Sequence, residues 1–173
     1  NTNQLMVNIV TTTQIDFDMT EYKDMILNLG TKAEVVSILH TINDGLADAV
    51  NCDELRVLHG RDYIEEVVLG LRFKISPFSF FQTNTKGAEK LYTIAREFVG
   101  DHEGKVLFDL YSGTGTIGQV MASAAKQVYG IELIEEAVVA ANQNAKLNGL
   151  DNCEFIAGDV AKVVKNLEAK PDL

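Results

Sequence analysis

A glycine-rich segment that follows a short apolar run carries the clearest chemical signal in this sequence. Residues 109–118 are Asp-Leu-Tyr-Ser-Gly-Thr-Gly-Thr-Ile-Gly, and residues 105–108 before them are Lys-Val-Leu-Phe. A strand that enters a glycine-rich turn and then a helix presents backbone N–H groups to a nucleotide-like ligand. A second apolar run, 127–131, ends in Glu132, which is placed to accept hydrogen bonds from a ribose. These features predict a nucleoside-binding, Rossmann-like half.

The glycine spacing alone does not decide which nucleoside binds. Gly113-x-Gly115-x-x-Gly118 also satisfies the dinucleotide fingerprint, so NAD is an alternative ligand, and a glycine-rich turn without a ligand is another. Asp109 precedes Gly113 by four residues. A carboxylate there can help to hold the cationic amino-acid end of S-adenosylmethionine, whereas it would repel a pyrophosphate. We therefore expect S-adenosylmethionine as the cofactor.

Composition excludes several classes of protein. The chain has 173 residues, 46% of them hydrophobic, and no apolar run approaches the ~18 residues that a membrane-spanning helix needs. The spacing of Cys52 and Cys153 does not suggest a disulfide, which indicates a reducing, cytoplasmic location. The three histidines are scattered along the chain, so we expect no metal site. The net charge of −10 argues against nucleic acid binding by this stretch alone, because phosphate contacts need clustered Lys and Arg. We expect an RNA partner to be held mainly by residues elsewhere.

The pattern of apolar residues predicts two regions with a boundary at Pro77. Residues 1–77 form a small α+β region, with a hairpin expected from the runs 55–59 and 63–69 around Gly60-Arg-Asp. Residues 78–173 alternate between strand and helix, which predicts a parallel sheet covered by helices on both faces. The elements expected there are a helix capped by Asn84 or Thr85 and ended by Gly100, a strand from 105, helix 116–125, strand 127–132, helix 134–147, strand 153–157 and helix 160–168.

The chain reaches Leu173 where a fourth strand of this sheet is expected. The first strand, 105–110, would then be an open edge with unpaired backbone groups. We therefore expect a fragment of a longer protein that is poorly soluble or covers this edge by self-association or domain swapping.

Three stretches resemble one family of enzymes. Phe80-Phe-Gln-Thr-Asn84, Asp109-Leu-Tyr-Ser-Gly-Thr-Gly115 and Asn142-Gln-Asn-Ala-Lys-Leu-Asn-Gly149 are similar to segments of the S-adenosylmethionine-dependent RNA uracil-C5 methyltransferases, which make 5-methyluridine in ribosomal and transfer RNA. The resemblance implies an α/β fold: a partial Rossmann-like class I methyltransferase domain preceded by a small α+β region. The third stretch is shared with amine-directed methyltransferases, so that activity is an alternative, as is an NAD-binding oxidoreductase.

The resemblance also implies roles for residues of this chain in holding the methyl donor. Gln82 would contact the donor, and Tyr111 would lie against it. Gly113 and Gly115 would let the backbone approach the methionine part of the donor, with Thr116 as a weaker contact. Glu132 would bind the ribose, and Asp159 would accept a hydrogen bond from the adenine amino group. Simpler roles stay open for several residues. Gln82 would then form a hydrogen bond only with the backbone, and Asp159 would be the N-cap of the last helix. Phe78, Phe80 and Phe81 would be core residues. Asn144 and Asn148 would pin helix ends.

The catalytic group of the family has no counterpart here. Uracil C5 is a poor nucleophile, so the family attacks C6 with a cysteine thiolate, methylates the resulting enolate at C5 and removes the C5 proton with a base. Neither Cys52 nor Cys153 matches the place of that cysteine, which lies downstream together with the base. We expect no catalytic residue in this chain and no activity from it alone. An iron–sulfur cluster, which many members carry, would belong to the parent protein and not to this chain.

Overall fold

A computed structural model describes residues 2–45, 52–100 and 102–173, apart from the side chains of residues 102 and 103. The chain divides into two compact units. The first comprises Thr2–Glu65 and Ile75–Pro77, and the second comprises Glu66–Lys74 and Phe78–Leu173. No helix among the described residues is long and apolar enough to cross a membrane.

The first unit contains a three-stranded sheet and one helix. The elements are β1 (Gln4–Thr11), α1 (Thr20–Leu27), β2 (Glu34–Ile42) and β3 (Glu54–Gly60). The central strand, β2, pairs parallel with β1 and antiparallel with β3. It is rich in apolar residues, and Ile38 and Leu39 are completely buried. The predicted α+β character of this region is confirmed.

Strands β4 (Ile64–Val68) and β5 (Leu71–Ile75) form a separate two-stranded sheet. The hairpin predicted between residues 55–59 and 63–69 is therefore wrong, since β3 pairs with β2 instead. Leu69 and Gly70 join β4 to β5 with φ angles of 48° and 86°. Two successive positive φ angles are typical of a two-residue type I′ hairpin turn, so the tight reversal lies at Leu69-Gly70 and not at Gly60.

The second unit continues as a strand–helix alternation. The elements are α2 (Thr85–Val99), β6 (His102–Leu110), α3 (Thr116–Met121), a 3₁₀ turn (Ala122–Ala124), β7 (Ala125–Glu132), α4 (Glu135–Leu147), β8 (Cys153–Ala157) and α5 (Val160–Asn166). The strands are all parallel in the order β6-β7-β8. The predicted alternation is confirmed, although the helix expected over 116–125 ends at Met121.

Helix α2 begins and ends where the sequence predicts. The Asn84 side chain accepts a hydrogen bond from the Gly87 N–H at 2.9 Å, which satisfies one of the free donors of the first turn. Gly100 terminates the helix with φ 72°, a backbone conformation that favours glycine. This helix delivers the chain into β6, the first strand of the parallel sheet.

The edge of β6 is not fully open. The Asp172 N–H donates to the Val106 carbonyl oxygen at 2.8 Å, and the Phe108 N–H donates to the Leu173 carbonyl oxygen at 3.1 Å. The Asp172 carboxylate also accepts from the Val106 N–H at 2.9 Å. The expectation of an unpaired edge is therefore wrong for this part of the strand, because the last residues of the chain take up its backbone groups.

The β4–β5 hairpin contributes Glu66–Lys74 to the second unit, whereas the sequence placed the whole of 1–77 in the first. Hydrogen bonds with α2 explain this division: the Leu69 N–H donates to Glu89 at 3.0 Å, and the Thr85 hydroxyl donates to Glu66 at 3.1 Å. On the other side, Asn144 and Asn148 of α4 bond the backbone of β5. These two side chains thus hold a strand, and Asn148 is in addition the C-cap residue of α4.

The sheet packs tightly against one aromatic ring. A Cβ atom at Gly130 of β7 would lie 2.1 Å from Cδ1 of the buried Phe155. We predict that Gly130→Ala lowers the free energy of unfolding by about 1–3 kcal/mol, the usual cost of overpacking a core. Chemical denaturation measures this change. Val139→Ala, an exposed helical control, should stay within about 0.5 kcal/mol of the parent; a Gly130→Ala variant as stable as that control would contradict the packing.

Candidate methyl-donor site

The candidate site lies where the parallel strands of the second unit end. The segment 111–115, here called the glycine loop, follows β6, Glu132 closes β7, and Asp159 comes two residues after β8. Backbone hydrogen bonds join these ends: the Ser112 N–H donates to the Ile131 carbonyl at 3.1 Å, and the Gly158 N–H donates to the Glu132 carbonyl at 2.8 Å. The carboxyl end of a parallel sheet is where folds of this kind bind ligands.

A cleft of about 110 Å³ opens beside the glycine loop. Four of the predicted site residues share it: Gln82, Tyr111, Gly113 and Thr116. The other lining residues are Phe80, Phe81, Tyr92, Ser112, Thr114 and Ile117. The sequence analysis did not assign Ser112 and Thr114 to the site, although their alternation with the glycines of the loop places them next to the expected ligand.

The glycine loop begins with a residue in an uncommon backbone conformation. Tyr111 has φ 63°, in the left-handed region that non-glycine residues adopt rarely and at an energetic cost, and its side chain is 75% exposed. Gly113 has φ 54°, and a Cβ atom placed on it would meet nothing within 4 Å. The loop therefore turns sharply and leaves open space on the Gly113 side.

Glu132 fixes the shape of the glycine loop. One oxygen of its carboxylate accepts from the Gly113 N–H and the other from the Ile134 N–H, each at 3.0 Å. The carboxylate thereby links the loop to the residue that precedes α4. Each oxygen has a second lone pair, so the group retains capacity to accept from a ligand hydroxyl.

Gly115 faces the core instead of the cleft. It has φ 72°, and a Cβ atom there would lie 2.5 Å from the ring of Phe155 and 2.9 Å from Cβ of Ala141. Both the backbone conformation and the packing thus require glycine at this position. This requirement is independent of any ligand.

Asp109 does not line the cleft with the other predicted residues. Its carboxylate accepts a hydrogen bond from the Gly118 N–H at 2.8 Å, in the first turn of α3. Burial raises the pKa of this carboxyl group to about 6, and the hydrogen bond from Gly118 opposes the shift. Asp109 thus supports the helix that follows the loop, and the structure does not bring it to the place expected for a contact with the ligand.

Asp159 and Gln82 differ in how the structure engages them. Asp159 is the N-cap of α5, and its carboxylate accepts from the Lys162 N–H at 3.0 Å. Asp159 therefore has the N-cap role, and its second carboxylate oxygen can still accept a hydrogen bond. The Gln82 side chain is exposed and makes no hydrogen bond among the described residues, so the backbone bond considered for it is not observed.

The three phenylalanines before Gln82 do not all belong to the core. Phe80 is 77% exposed, and Phe78 is also exposed, so their assignment as core residues is wrong. Phe81 is half-buried, and its ring lies 6.0 Å from that of Phe73 between centroids. The local run of aromatic residues did not reveal which ring would find a partner.

The two cysteines differ in their surroundings. Burial, together with the nearby charge of Asp109, raises the pKa of Cys153 to about 11, which keeps this thiol protonated at neutral pH. Cys52 is exposed and unpaired. Within the described ranges, no group of three or more His, Cys, Asp or Glu residues is arranged to hold a metal ion.

The buried Asp109 predicts a pH dependence of stability. A carboxyl group with a raised pKa binds more protons in the folded than in the unfolded chain between about pH 4 and 6. Its contribution therefore destabilises the fold as pH rises through that window, by at most about 3 kcal/mol. The difference in unfolding free energy between the parent and Asp109→Asn should show this slope from pH 4 to 7. The exposed Asp151→Asn serves as the control, and a flat difference for Asp109→Asn would contradict the raised pKa.

Known proteins match both the sequence and the fold. Residues 101–173 match a family model described as a methyltransferase domain. A Clostridium tetani protein described as an uncharacterized RNA methyltransferase is 61% identical over 173 residues, which is all of this chain and 38% of that protein. A Clostridium acetobutylicum protein with the same description is 56% identical over 172 residues, which is 99% of this chain and again 38% of the relative. The chain thus spans well under half the length of these relatives.

A solved structure extends the likeness to three dimensions. The Pyrococcus abyssi tRNA (uracil-54, C5)-methyltransferase, crystallised with S-adenosyl-L-homocysteine, superposes with a TM-score of 0.68 at 29% sequence identity. The match covers 89% of this chain and 36% of the archaeal one. The expected α/β fold class is confirmed: the chain has the Rossmann-like fold of S-adenosylmethionine-dependent methyltransferases.

Proposed function

We propose that this chain forms the methyl-donor site of an S-adenosylmethionine-dependent RNA methyltransferase whose target is uridine C5. The observation that carries the proposal is the convergence of Gln82, Tyr111 and Gly113 on one cleft whose loop is fixed by Glu132. Gln82 comes from one stretch of the sequence, and Tyr111 and Gly113 come from another. Each was expected to contact the donor, and their convergence supports that assignment.

The cleft fits a ligand with polar groups. The Ser112 hydroxyl is buried and has no hydrogen-bond partner among the described residues, which is costly unless a ligand or a water supplies one. Gly113 leaves space beside the loop for a close approach. S-adenosylmethionine, when bound, supplies an electrophilic methyl group on a sulfonium. The chain's own task is to orient that group and to bind the rest of the molecule.

The acidic residues at the strand ends have distinct proposed roles. Glu132 accepts from the ribose hydroxyls through the lone pairs that Gly113 and Ile134 leave free. Asp159 accepts from the adenine amino group with the oxygen that does not cap α5. Asp109 acts indirectly by holding the first turn of α3 beneath the loop. Gly115 and Thr116 continue the loop into that helix.

The choice of RNA and of uracil C5 rests on chemistry and on relatives. Two relatives are described as RNA methyltransferases, and the structural neighbour at 29% identity is a tRNA (uracil-54, C5)-methyltransferase. Methylation at C5 needs a thiolate that adds to C6, and Cys153 is unsuited to this because its pKa is raised to about 11. Since Cys52 does not match the place of the family's nucleophile either, we place the nucleophile and the base outside this chain and expect the chain alone to be inert.

Titration calorimetry with S-adenosylhomocysteine tests the donor site. We expect the parent chain to bind it, and Glu132→Gln to weaken binding by about 10- to 100-fold, the usual cost of losing a hydrogen bond to a charged group. Glu136→Gln, an exposed change in the first turn of α4, should bind like the parent. Heat released with NAD and none with S-adenosylhomocysteine would replace the proposal with an oxidoreductase.

The fate of the C5 hydrogen tests the proposed target. Methylation at C5 transfers the methyl group from sulfur to carbon, leaves S-adenosylhomocysteine and releases the C5 hydrogen as a proton. RNA that carries [5-³H]uridine should therefore lose tritium to water when it is incubated with S-adenosylmethionine and the complete protein that contains this chain. Residues 1–173 alone should release none. Methyl transfer with retained tritium would favour an amine-directed enzyme, and release by the isolated chain would contradict the absence of a nucleophile.

A further inference from the structure

Two asparagine side chains, Asn144 of α4 and Asn148 at its C-cap, take the place of a neighbouring strand beside β5. The Arg72 N–H donates to Oδ1 of Asn148 at 2.8 Å, and Nδ2 of Asn148 donates to the Arg72 carbonyl at 2.8 Å. Asn144 makes the same pair of bonds with Lys74, at 2.9 and 3.3 Å. Each amide thus exchanges two hydrogen bonds with one residue, as a hydrogen-bonded pair does in an antiparallel sheet.

The spacing of the two asparagines suits this arrangement. Residues four apart on a helix are separated by about 6 Å along its axis. Residues two apart on a strand are separated by about 6.7 Å. A helix that carries amides at positions i and i+4 can therefore pair with alternate residues of a strand, and Asn144 and Asn148 do so with Lys74 and Arg72.

Asn148 also contacts the helix that follows the glycine loop. Its Nδ2 donates to Oε1 of Gln119 at 3.2 Å, and Nε2 of Gln119 donates to the Ala141 carbonyl at 3.3 Å. Gln119 is buried in α3, whose first residue, Thr116, lines the cleft. One amide therefore links β5 to the helix that carries one wall of the donor site.

The other wall of the cleft rests on β5. Phe73 is completely buried, and its ring contacts that of Phe81 at a centroid distance of 6.0 Å. Phe81 and the adjacent Gln82 line the cleft together with residues of the glycine loop. A displacement of β5 would therefore move Phe81 and Gln82 relative to the loop.

We propose that Asn144, Asn148 and Gln119 form an amide clamp that sets the separation between Gln82 and the glycine loop and thereby determines the affinity for the methyl donor. These are positioning residues, since none of them lines the cleft itself. The inference rests on the proposed function, because it takes the donor as the ligand of the cleft.

Calorimetric titration of S-adenosylhomocysteine into the 173-residue chain tests the clamp. We expect Asn148→Ala to weaken binding about tenfold, equivalent to the loss of one to two hydrogen bonds. Gln119→Met should weaken it less, because the two hydrogen bonds between Asn148 and Arg72 remain and only the bonds of Gln119 are lost. This second variant keeps the test usable if Asn148→Ala does not fold. Gln143→Ala, an exposed amide of the same helix, should bind like the parent.

A double-mutant cycle separates positioning from a general loss of structure. If Asn148 acts through Gln82, the double variant Asn148→Ala/Gln82→Ala should lose little more affinity than the weaker-binding single variant. Hydrogen exchange in the segment 80–84 should rise in Asn148→Ala and not in Gln143→Ala. The clamp would be overturned if Asn148→Ala bound S-adenosylhomocysteine as tightly as the parent. It would also be overturned if the fold-loss in affinity of the double variant equalled the product of the two single fold-losses. Neither result would contradict the proposed donor site. A parent chain that does not bind S-adenosylhomocysteine would instead sink the proposed function, and the clamp with it.

Discussion

The packing of Phe155 against three glycines is the constraint on which the candidate site depends. A Cβ atom would lie 2.5 Å from this ring at Gly115, 3.4 Å at Gly118 and 2.1 Å at Gly130. These glycines belong to the glycine loop, to α3 and to β7, so one side chain from β8 brings three elements into contact. The glycine pattern that suggests a nucleotide turn is thus partly a packing requirement. Only Gly113, which faces open space, is free of that requirement and available to a ligand.

Once the loop is seated on Phe155, Glu132 determines its outer shape. The carboxylate accepts from Gly113 and Ile134, so the residue proposed to bind the ribose already holds the loop that would contact the rest of the donor. A ligand that arrives finds these groups fixed and pays little to order them, which is the energetic benefit of preorganisation. The strained backbone of Tyr111 is compatible with this view, because a rigid surround is needed to maintain it.

The sequence predicted the second unit well because each of its elements is defined locally. Asn84 caps α2, Gly100 ends it, and the strands that follow are apolar runs closed by turns. Partner choice is not local. Gly60-Arg-Asp has the composition of a hairpin turn, yet β3 pairs with β2, whose sequence lies well before it.

The site shows the same limit. The carboxyl end of β6 is evident from the sequence, but whether Asp109 faces the ligand or the first turn of α3 depends on the pleat and on the neighbouring helix. The exposure of Phe80 likewise depends on contacts that its aromatic neighbours do not reveal.

The asparagine-rich stretch of α4 illustrates how a motif that suggests function can act through structure. Asn142 accepts from the Phe155 N–H at 3.1 Å and donates to the Phe155 carbonyl at 2.8 Å, so it bonds β8 in the way that Asn144 and Asn148 bond β5. One helix therefore supports both the strand that carries the central ring and the strand that leads to Gln82. An amide is required at each position because only an amide both donates and accepts in the manner of a peptide group. A carboxylate cannot donate, and a hydroxyl would have to donate and accept through one oxygen, so neither reproduces the pair of bonds. The stretch is accordingly constrained by the backbone that it supports on two sides.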